Sequence, residues 1–327
     1  MITQATALVL DQPGAALRLE RRNLPPLQPG QIQVKMQAAP INPADLNMLE
    51  GTYPVALPLP GVPGCEGVGV VTRCGVAVAE LKVGQQVIFP CRIGAWCDSL
   101  VCDAREAFPI PPGLPVEQAS MAAINPATAL RLLLDFVALK PGDWLIQNAA
   151  NSGVGRQVIR LARARQLRTV NIVRRPEQVA ELEAWGGDVV LVQDDALPEQ
   201  VRARTGGAAL ALGLNAVGGA ALRGLVRCLA PGATLVTYGA MAREPFTLGN
   251  GDLIFRDLRP RGFWVTAWYR RANAREIQSM FAELLPLIRN GTLATPVEHT
   301  YALHEFTEAV AHAARPQRRG KILFRMG

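Results

Sequence analysis

Ala150, Ser152 and Gly155 stand at the spacing of a Gly-x-Gly-x-x-Gly turn, and only the last of its three glycines is kept. The strand-like run Trp144-Leu145-Ile146-Gln147-Asn148 precedes this turn, a helical run over 154–165 follows it, and Thr169 to Val173 reads as a second strand. Strand, tight turn, helix and strand make the unit that sets a dinucleotide pyrophosphate on the N-terminus of a helix. Donors from Ser152, Gly153, Val154 and Gly155 would face the phosphates. Gly155 would let helix and strand pack closely, and Asn151 and Ser152 would supply side-chain donors where glycines are lost.

The second strand ends in Arg174-Arg175-Pro176. An acid at that place accepts from the ribose hydroxyls of NAD, whereas a guanidinium pairs a 2′-phosphate through two bonds. The residue types therefore point to NADPH. The other reading of the pair is two solvated arginines in an arginine-rich chain.

The elements that must position these residues alternate from about residue 121. Helix Ala127 to Leu139, strand 144–148, helix 154–165, strand 169–173, a polar helix 177–185 and strand Val189 to Val192 come first. Helix 198–204, strand Leu210 to Asn215, a helix from Gly218-Gly219 to Leu229, strand Thr234 to Tyr238 and a final strand over 262–266 complete the series. Such alternation implies a parallel, doubly wound sheet. In helix 154–165 the stripe Val158, Ile159, Leu161 and Ala162 faces the sheet, with Arg156, Arg160 and Arg163 outward. The first hundred residues instead carry short alternating runs, such as Ile32 to Met36 and Gly67 to Val71, cut by Gly and Pro turns. After about 267 an amphipathic helix from Glu276 to Asn290 and a strand-like tail, Lys321 to Phe324, are expected to return to this first, β-rich part.

With 327 residues, 49% of them hydrophobic and 19% charged, the chain can build two domains with real cores. Ala208 to Leu222, among its longest uncharged stretches, falls short of the roughly 20 apolar residues of a membrane span. The start Met1-Ile2-Thr3-Gln4-Ala5 lacks the basic and apolar regions of a secretion signal, so a cytoplasmic protein is expected. The net charge of +7 rests on scattered arginines, lysines being confined to 35, 82, 140 and 321. Without a basic-aromatic motif it does not argue for nucleic acid. Cysteines at 65, 74, 91, 97, 102 and 228 form no repeated Cys-x-x-Cys pair and read as reduced thiols.

Seven segments occur in order: Asn42-Pro43-Ala44-Asp45-Leu46-Asn47, Glu50-Gly51-Thr52-Tyr53-Pro54, Gly64-Cys65-Glu66-Gly67-Val68-Gly69, Asn151-Ser152-Gly153-Val154-Gly155, Asn215-Ala216-Val217-Gly218-Gly219, Thr237-Tyr238-Gly239-Ala240-Met241 and Arg261-Gly262-Phe263-Trp264. From about residue 8 to the C-terminus the chain resembles the medium-chain dehydrogenase/reductase superfamily. It is most similar to the zinc-free 2-enoyl thioester reductases, a branch related to quinone oxidoreductases. The resemblance implies an α/β protein with a GroES-like catalytic domain (1–122 and 267–327) and a Rossmann domain (123–266). It also implies NADPH as cofactor, an enoyl thioester of CoA or acyl carrier protein as substrate, and a homodimer joined through the Rossmann sheets, with no nucleic-acid or membrane partner.

Carried over residue by residue, the resemblance makes Tyr53 the catalytic tyrosine, which assists protonation at Cα after hydride reaches Cβ. It makes Asn125, Asn151, Ser152, Gly153, Val154, Arg174, Arg175, Tyr238, Gly239, Ala240, Met241, Phe263, Trp264, Val265, Thr266 and Lys321 the cofactor contacts. Hydride addition to an α,β-unsaturated thioester leaves an enolate oxygen that needs a donor, and a tyrosine hydroxyl can serve without a metal. Zinc members of the superfamily place a Cys, a Gly-His-Glu histidine and a third ligand where this chain has Asn42, Gly64-Cys65-Glu66 and no counterpart, so no metal is expected. Asp45 and Glu66 read as buried scaffold acids. A quinone or enone reductase and a non-catalytic NADPH-binding protein remain the alternatives, because one fold serves many acceptors.

Overall fold

The computed structural model describes residues 2–54, 57–90 and 94–327, so Cys91 lies outside the described residues. Two units emerge from its contacts: Met1–Ile124 with Tyr269–Gly327, and Asn125–Trp268.

In chain order the first unit begins with strands β1 (Gln4–Val9), β2 (Arg18–Asn23) and β3 (Gln31–Pro40), helix α1 (Pro43–Glu50), strands β4 (Val68–Cys74), β5 (Gln86–Ile88), β6 (Ser99–Asp103) and β7 (Phe108–Pro109), and helix α2 (Val116–Ser120). β3 is the spine: it pairs antiparallel with β4 and β6. Its Ile32, Val34 and Met36, two residues apart as a pleated strand requires, are fully buried.

The second unit carries α3 (Asn125–Leu134), β8 (Trp144–Gln147), α4 (Gly153–Ala164), β9 (Arg168–Val173), α5 (Val179–Ala184), β10 (Val189–Val192), α6 (Leu197–Thr205), β11 (Leu210–Asn215), α7 (Leu222–Cys228), β12 (Thr234–Thr237), α8 (Asn250–Ile254) and β13 (Arg259–Gly262). α9 (Val265–Arg271) leads out of it. The six strands pair in parallel in the order β10-β9-β8-β11-β12-β13. Central strands are covered on both faces, and β9 is buried from Thr169 to Val173, polar Thr169 and Asn171 included. The doubly wound parallel sheet expected from the alternation is thus present.

One strand differs from the reading above. The last strand of this sheet is Arg259–Gly262 rather than 262–266, and a helix begins at Val265. The cause is its place at the edge. All four of its residues are exposed, and Pro260, which cannot donate to a ladder, is tolerated there. An edge strand of this kind lacks the apolar signature by which inner strands are recognised. The expected helix 177–185 is likewise divided into a 3-10 turn, Pro176–Gln178, and α5.

The chain returns to the first unit through α10 (Ala274–Arg289), β14 (Val297–Ala302), α11 (Phe306–Ala314) and β15 (Lys321–Arg325). Asn273 caps α10, its Oδ1 accepting from the Glu276 N–H at 3.0 Å, and Met280, Phe281, Leu284, Leu285 and Ile288 form the buried stripe. β15 pairs antiparallel with β3, and Phe324 meets Trp96 edge-on at 5.2 Å in the core. Among the described residues no helix is long and apolar enough to cross a membrane.

Candidate functional site

In the second unit the sheet changes direction of winding at β8, flanked by β9 and β11, and this is where open α/β sheets hold nucleotides. Past β8 the backbone enters the left-handed region at Ala149 (φ +47°) and turns into α4. Ser152 caps the helix: its Oγ accepts from the Gly155 N–H at 3.1 Å, and its carbonyl accepts from Arg156 N–H at 3.0 Å. The N–H groups of Gly153 and Val154 precede the helix ladder and have no carbonyl a turn earlier to meet. A Cβ at Gly155 would stand 2.6 Å from the Ala150 carbonyl oxygen and 2.7 Å from Ala150 Cα. The one glycine retained is the one that close packing demands. Free donors, a helix N-terminus and this tight approach fit a dinucleotide pyrophosphate.

Two asparagines brace the strand ends. Asn148, just after β8, donates from Nδ2 to Asn215 Oδ1 at 2.8 Å and accepts from the Ala216 N–H at 2.7 Å. Asn215 Oδ1 also accepts from the Val217 and Gly218 N–H groups, while its Nδ2 donates to Thr237 Oγ1 at 3.1 Å. One buried network therefore ties together the C-terminal ends of β8, β11 and β12. In the sequence Asn148 carries no role and Asn215 only opens the Asn-Ala-Val-Gly-Gly segment. A polar amide ending each of two apolar strands is the signal that could have found them.

Tyr238 follows β12, its N–H bonded to the Asn215 carbonyl at 3.0 Å. Its hydroxyl is buried and makes no hydrogen bond of normal geometry among the described residues. Burial pushes this phenol up, with the Ser152 side chain drawing it back. A buried hydroxyl beside Ser152 of the phosphate-binding turn is a second feature that fits a bound dinucleotide. Gly239 approaches Ala216 so closely that a Cβ would lie 2.8 Å from its carbonyl oxygen, Ala240 is exposed, and the Met241 N–H bonds the same carbonyl at 3.0 Å.

Phe263 leaves β13 bonded to the Thr237 carbonyl at 3.0 Å, its ring edge-on to Phe136. Trp264 is half-buried, and Val265 and Thr266 open α9. At the end of β9, Arg174 is exposed and Arg175 Nε lies 3.3 Å from Glu177 Oε1. The expected contacts after β8, β9, β12 and β13 thus share the C-terminal edge of one sheet. Asn125, the first residue of α3, is buried. Of the three α4 arginines expected to face outward, only Arg163 is exposed. Arg156 and Arg160 bend over the Trp185 ring instead, because a guanidinium gains more on an indole face than in water alone.

Tyr53 and Lys321 belong to the first unit. α1 ends at Gly51, whose φ of +77° and whose missing Cβ, which would fall 2.6 Å from Pro13 Cβ, leave room for no other residue. Thr52 and Tyr53 then both donate their N–H to the Asn47 carbonyl, at 2.9 and 3.1 Å. Tyr53 is half-buried and hangs from the last turn of a helix, with Pro54 stiffening the exit.

At the positions of the superfamily's metal ligands lies a closed polar cluster. Asn42 Nδ2 donates to Glu66 Oε1 at 2.9 Å, the Ile124 N–H donates to Glu66 Oε2 at 3.0 Å, and Lys321 Nζ donates to Asn42 Oδ1. Burial pushes the Glu66 carboxyl up to about 7 against the pull of the Lys321 charge and the Asn42 amide. Burial also pushes Lys321 down, with Glu66 opposing. An ammonium already occupies the place a cation would need, and among the described residues no three His, Cys, Asp or Glu are grouped to hold a metal. These residues do not fit zinc. No disulfide joins the described cysteines.

Residues 28–112 match the alcohol dehydrogenase GroES-like domain, and residues 153–288 match the zinc-binding dehydrogenase family. The mitochondrial enoyl-[acyl-carrier-protein] reductase of Rattus norvegicus is 39% identical over 311 residues, which cover 93% of this chain and 83% of that protein. Among solved structures, the complex of the Candida tropicalis enzyme Etr1p with NADP and crotonyl-CoA superposes with a TM-score of 0.87 at 26% identity, covering 99% of this chain and 100% of the other. A putative NADPH:quinone reductase from Bacillus thuringiensis superposes with a TM-score of 0.91 at 26% identity, covering 98% and 99%. The chain belongs to the medium-chain dehydrogenase/reductase superfamily, in the zinc-free branch of 2-enoyl thioester reductases related to quinone oxidoreductases.

Proposed function

We propose that the protein is an NADPH-dependent reductase of the Cα=Cβ bond of trans-2-enoyl thioesters. The observation that carries this reading is the 39% identity, over almost the whole chain, to enoyl-[acyl-carrier-protein] reductase. NADPH, when bound, supplies the hydride that goes to Cβ. The N–H groups of Gly153 and Val154, with the Asn151 and Ser152 side chains, hold its pyrophosphate. Arg174 and Arg175 pair its 2′-phosphate, and the exposure of Arg174 leaves that guanidinium available. Tyr238 gains a partner for its buried hydroxyl, Gly239, Ala240 and Met241 line the same edge, and Phe263, Trp264, Val265 and Thr266 flank the nicotinamide. Asn125 completes the contacts. Lys321, bonded to Asn42 in the polar cluster with Glu66, is the remaining cofactor contact of this reading.

Tyr53 donates a hydrogen bond to the thioester oxygen as negative charge gathers there, and assists delivery of the proton to Cα. The bond of its backbone N–H to the Asn47 carbonyl supports this role by fixing the main chain that carries the phenol. The test is NADPH oxidation with crotonyl-CoA, longer trans-2-enoyl-CoA and the same acyl groups on acyl carrier protein. No turnover at any chain length would refute the assignment. Rapid turnover of quinones instead would favour the second reading, an NADPH:quinone or enone reductase, which the close superposition on the Bacillus thuringiensis protein supports.

We further infer a homodimer built on the β13 edge. That strand is exposed at every residue, and the segment leading into it presents Ile254 and Phe255 at 69% and 85% exposure. Phe255→Asp is expected to shift the protein from dimer to monomer in light scattering. A variant that stays dimeric would place the interface elsewhere.

A further inference from the structure

Arg156 stands in the opening turns of α4, where the positive end of the helix dipole disfavours a cation unless an anion answers it. Its side chain is nevertheless only 11% exposed. Three contacts hold it inward. Nε donates to the Asn151 carbonyl at 3.1 Å, Nη2 lies 2.7 Å from Glu181 Oε1 on α5, and the guanidinium covers the Trp185 ring at 5.1 Å from its centroid. Arg160, one turn further along α4, covers the same ring at 4.8 Å.

The guanidinium therefore joins two segments that the sequence keeps apart. One is the turn at 149–152 that opens α4. The other is α5, which follows Arg174-Arg175 after a single 3-10 turn. A planar fork can bond in two directions while its face stacks, and a lysine ammonium cannot.

We propose that Arg156 is a positioning residue for the dinucleotide: it couples the pyrophosphate turn to the loop that carries Arg174 and Arg175. The proposal rests on the NADPH reading above and assigns its geometry to a residue outside the cofactor contacts. With Arg156 removed, Asn151 and α5 move independently, and a ligand with phosphates on both segments loses more than one with phosphates on the turn alone.

The test is equilibrium titration of the purified apoprotein with NADPH and with NADH, for the wild type, Arg156→Met, Arg156→Lys and Glu181→Gln. Arg156→Met is expected to weaken NADPH about tenfold or more and NADH about threefold, while kcat at saturating NADPH stays within about twofold. Arg156→Lys keeps the charge without the fork and should recover only part of the loss. Glu181→Gln should show the same preference for harming NADPH. Failure of the wild type to bind NADPH would remove the cofactor reading itself. Wild-type binding with Arg156→Met unchanged would overturn the coupling and leave that reading intact. If Arg156→Met does not fold, Arg156→Lys decides: wild-type affinity for both nucleotides would overturn the proposal. A loss equal for NADPH and NADH would overturn it as well.

Discussion

Adding one methyl group at Gly155 probes the packing on which the phosphate-binding turn depends. The new Cβ would stand 2.6 Å from the Ala150 carbonyl oxygen, 2.7 Å from Ala150 Cα and 2.8 Å from the Ala149 carbonyl oxygen. Ordinary contact begins at 3.4 Å, so helix and turn must part by 3.4 − 2.6 = 0.8 Å. All three obstacles are backbone, so no side-chain rotation relieves them. Ala150 is fully buried and its N–H is bonded to the Ile172 carbonyl, which ties the turn to β9. Forced overpacking of this kind costs about 1–3 kcal/mol. For a chain of 327 residues that corresponds to a fall in Tm of about 1–5 °C. Misaligning one donor from the pyrophosphate, at about 1.5–3 kcal/mol for a bond to a charged group, would weaken NADPH by about 10- to 100-fold. Thermal unfolding with and without NADPH, together with a nucleotide titration, measures both effects on Gly155→Ala. Unchanged Tm and unchanged affinity would refute the close seating of α4 on the turn. Lower stability with full affinity would separate the packing from phosphate binding.

Three further outcomes follow from the site. Tyr53→Phe should lower kcat with crotonyl-CoA by about 100-fold or more while leaving NADPH affinity unaltered, the usual scale for loss of a positioned proton donor. Full activity in steady-state kinetics would remove Tyr53 from the reaction. Arg174→Ala combined with Arg175→Ala should cost NADPH binding about 10- to 100-fold and spare NADH, as the loss of charge-assisted bonds to one phosphate requires; equal losses for both nucleotides would refute the 2′-phosphate assignment. Glu66 gives a pH dependence. Its carboxyl is raised by burial from 4.5 to about 7, so the folded protein keeps a proton that the unfolded chain has lost. That contribution is fully present below about pH 4.5 and is lost as pH rises through about 7, at up to about 1.4 kcal/mol per pH unit. Chemical denaturation across this range should show the wild type losing stability relative to Glu66→Gln as pH rises, and parallel curves would contradict the buried protonated acid.

The candidate site was legible where function and local pattern coincide. The turn after β8 announces itself through residues within one short segment, and the arginine pair closes the next strand. The edge strand β13 and the inward arginines of α4 were not legible, each for a physical reason. Arg259–Gly262 earns its strand from a single neighbour and needs no apolar face. Arg156 and Arg160 look solvent-bound by residue type, and only the arrival of Trp185 from another helix gives their planes something to cover.

What the sequence determined by itself was the order of elements and the chemical kind of the turn. The strands Val189–Val192 and Leu210–Asn215 lie where their apolar runs put them, because a strand covered on both faces is mostly apolar. Tertiary structure decided which polar groups meet. Asn148 finds Asn215 across 67 positions, and Lys321 finds Asn42 across 279. Neither pairing has a local signature, since an amide or an ammonium is equally at home in water. Folding buries these groups and thereby compels each to find a partner. The same closure turned the superfamily's metal-ligand positions into a Lys321–Asn42–Glu66 chain, a contact between residues that periodicity and spacing leave unrelated.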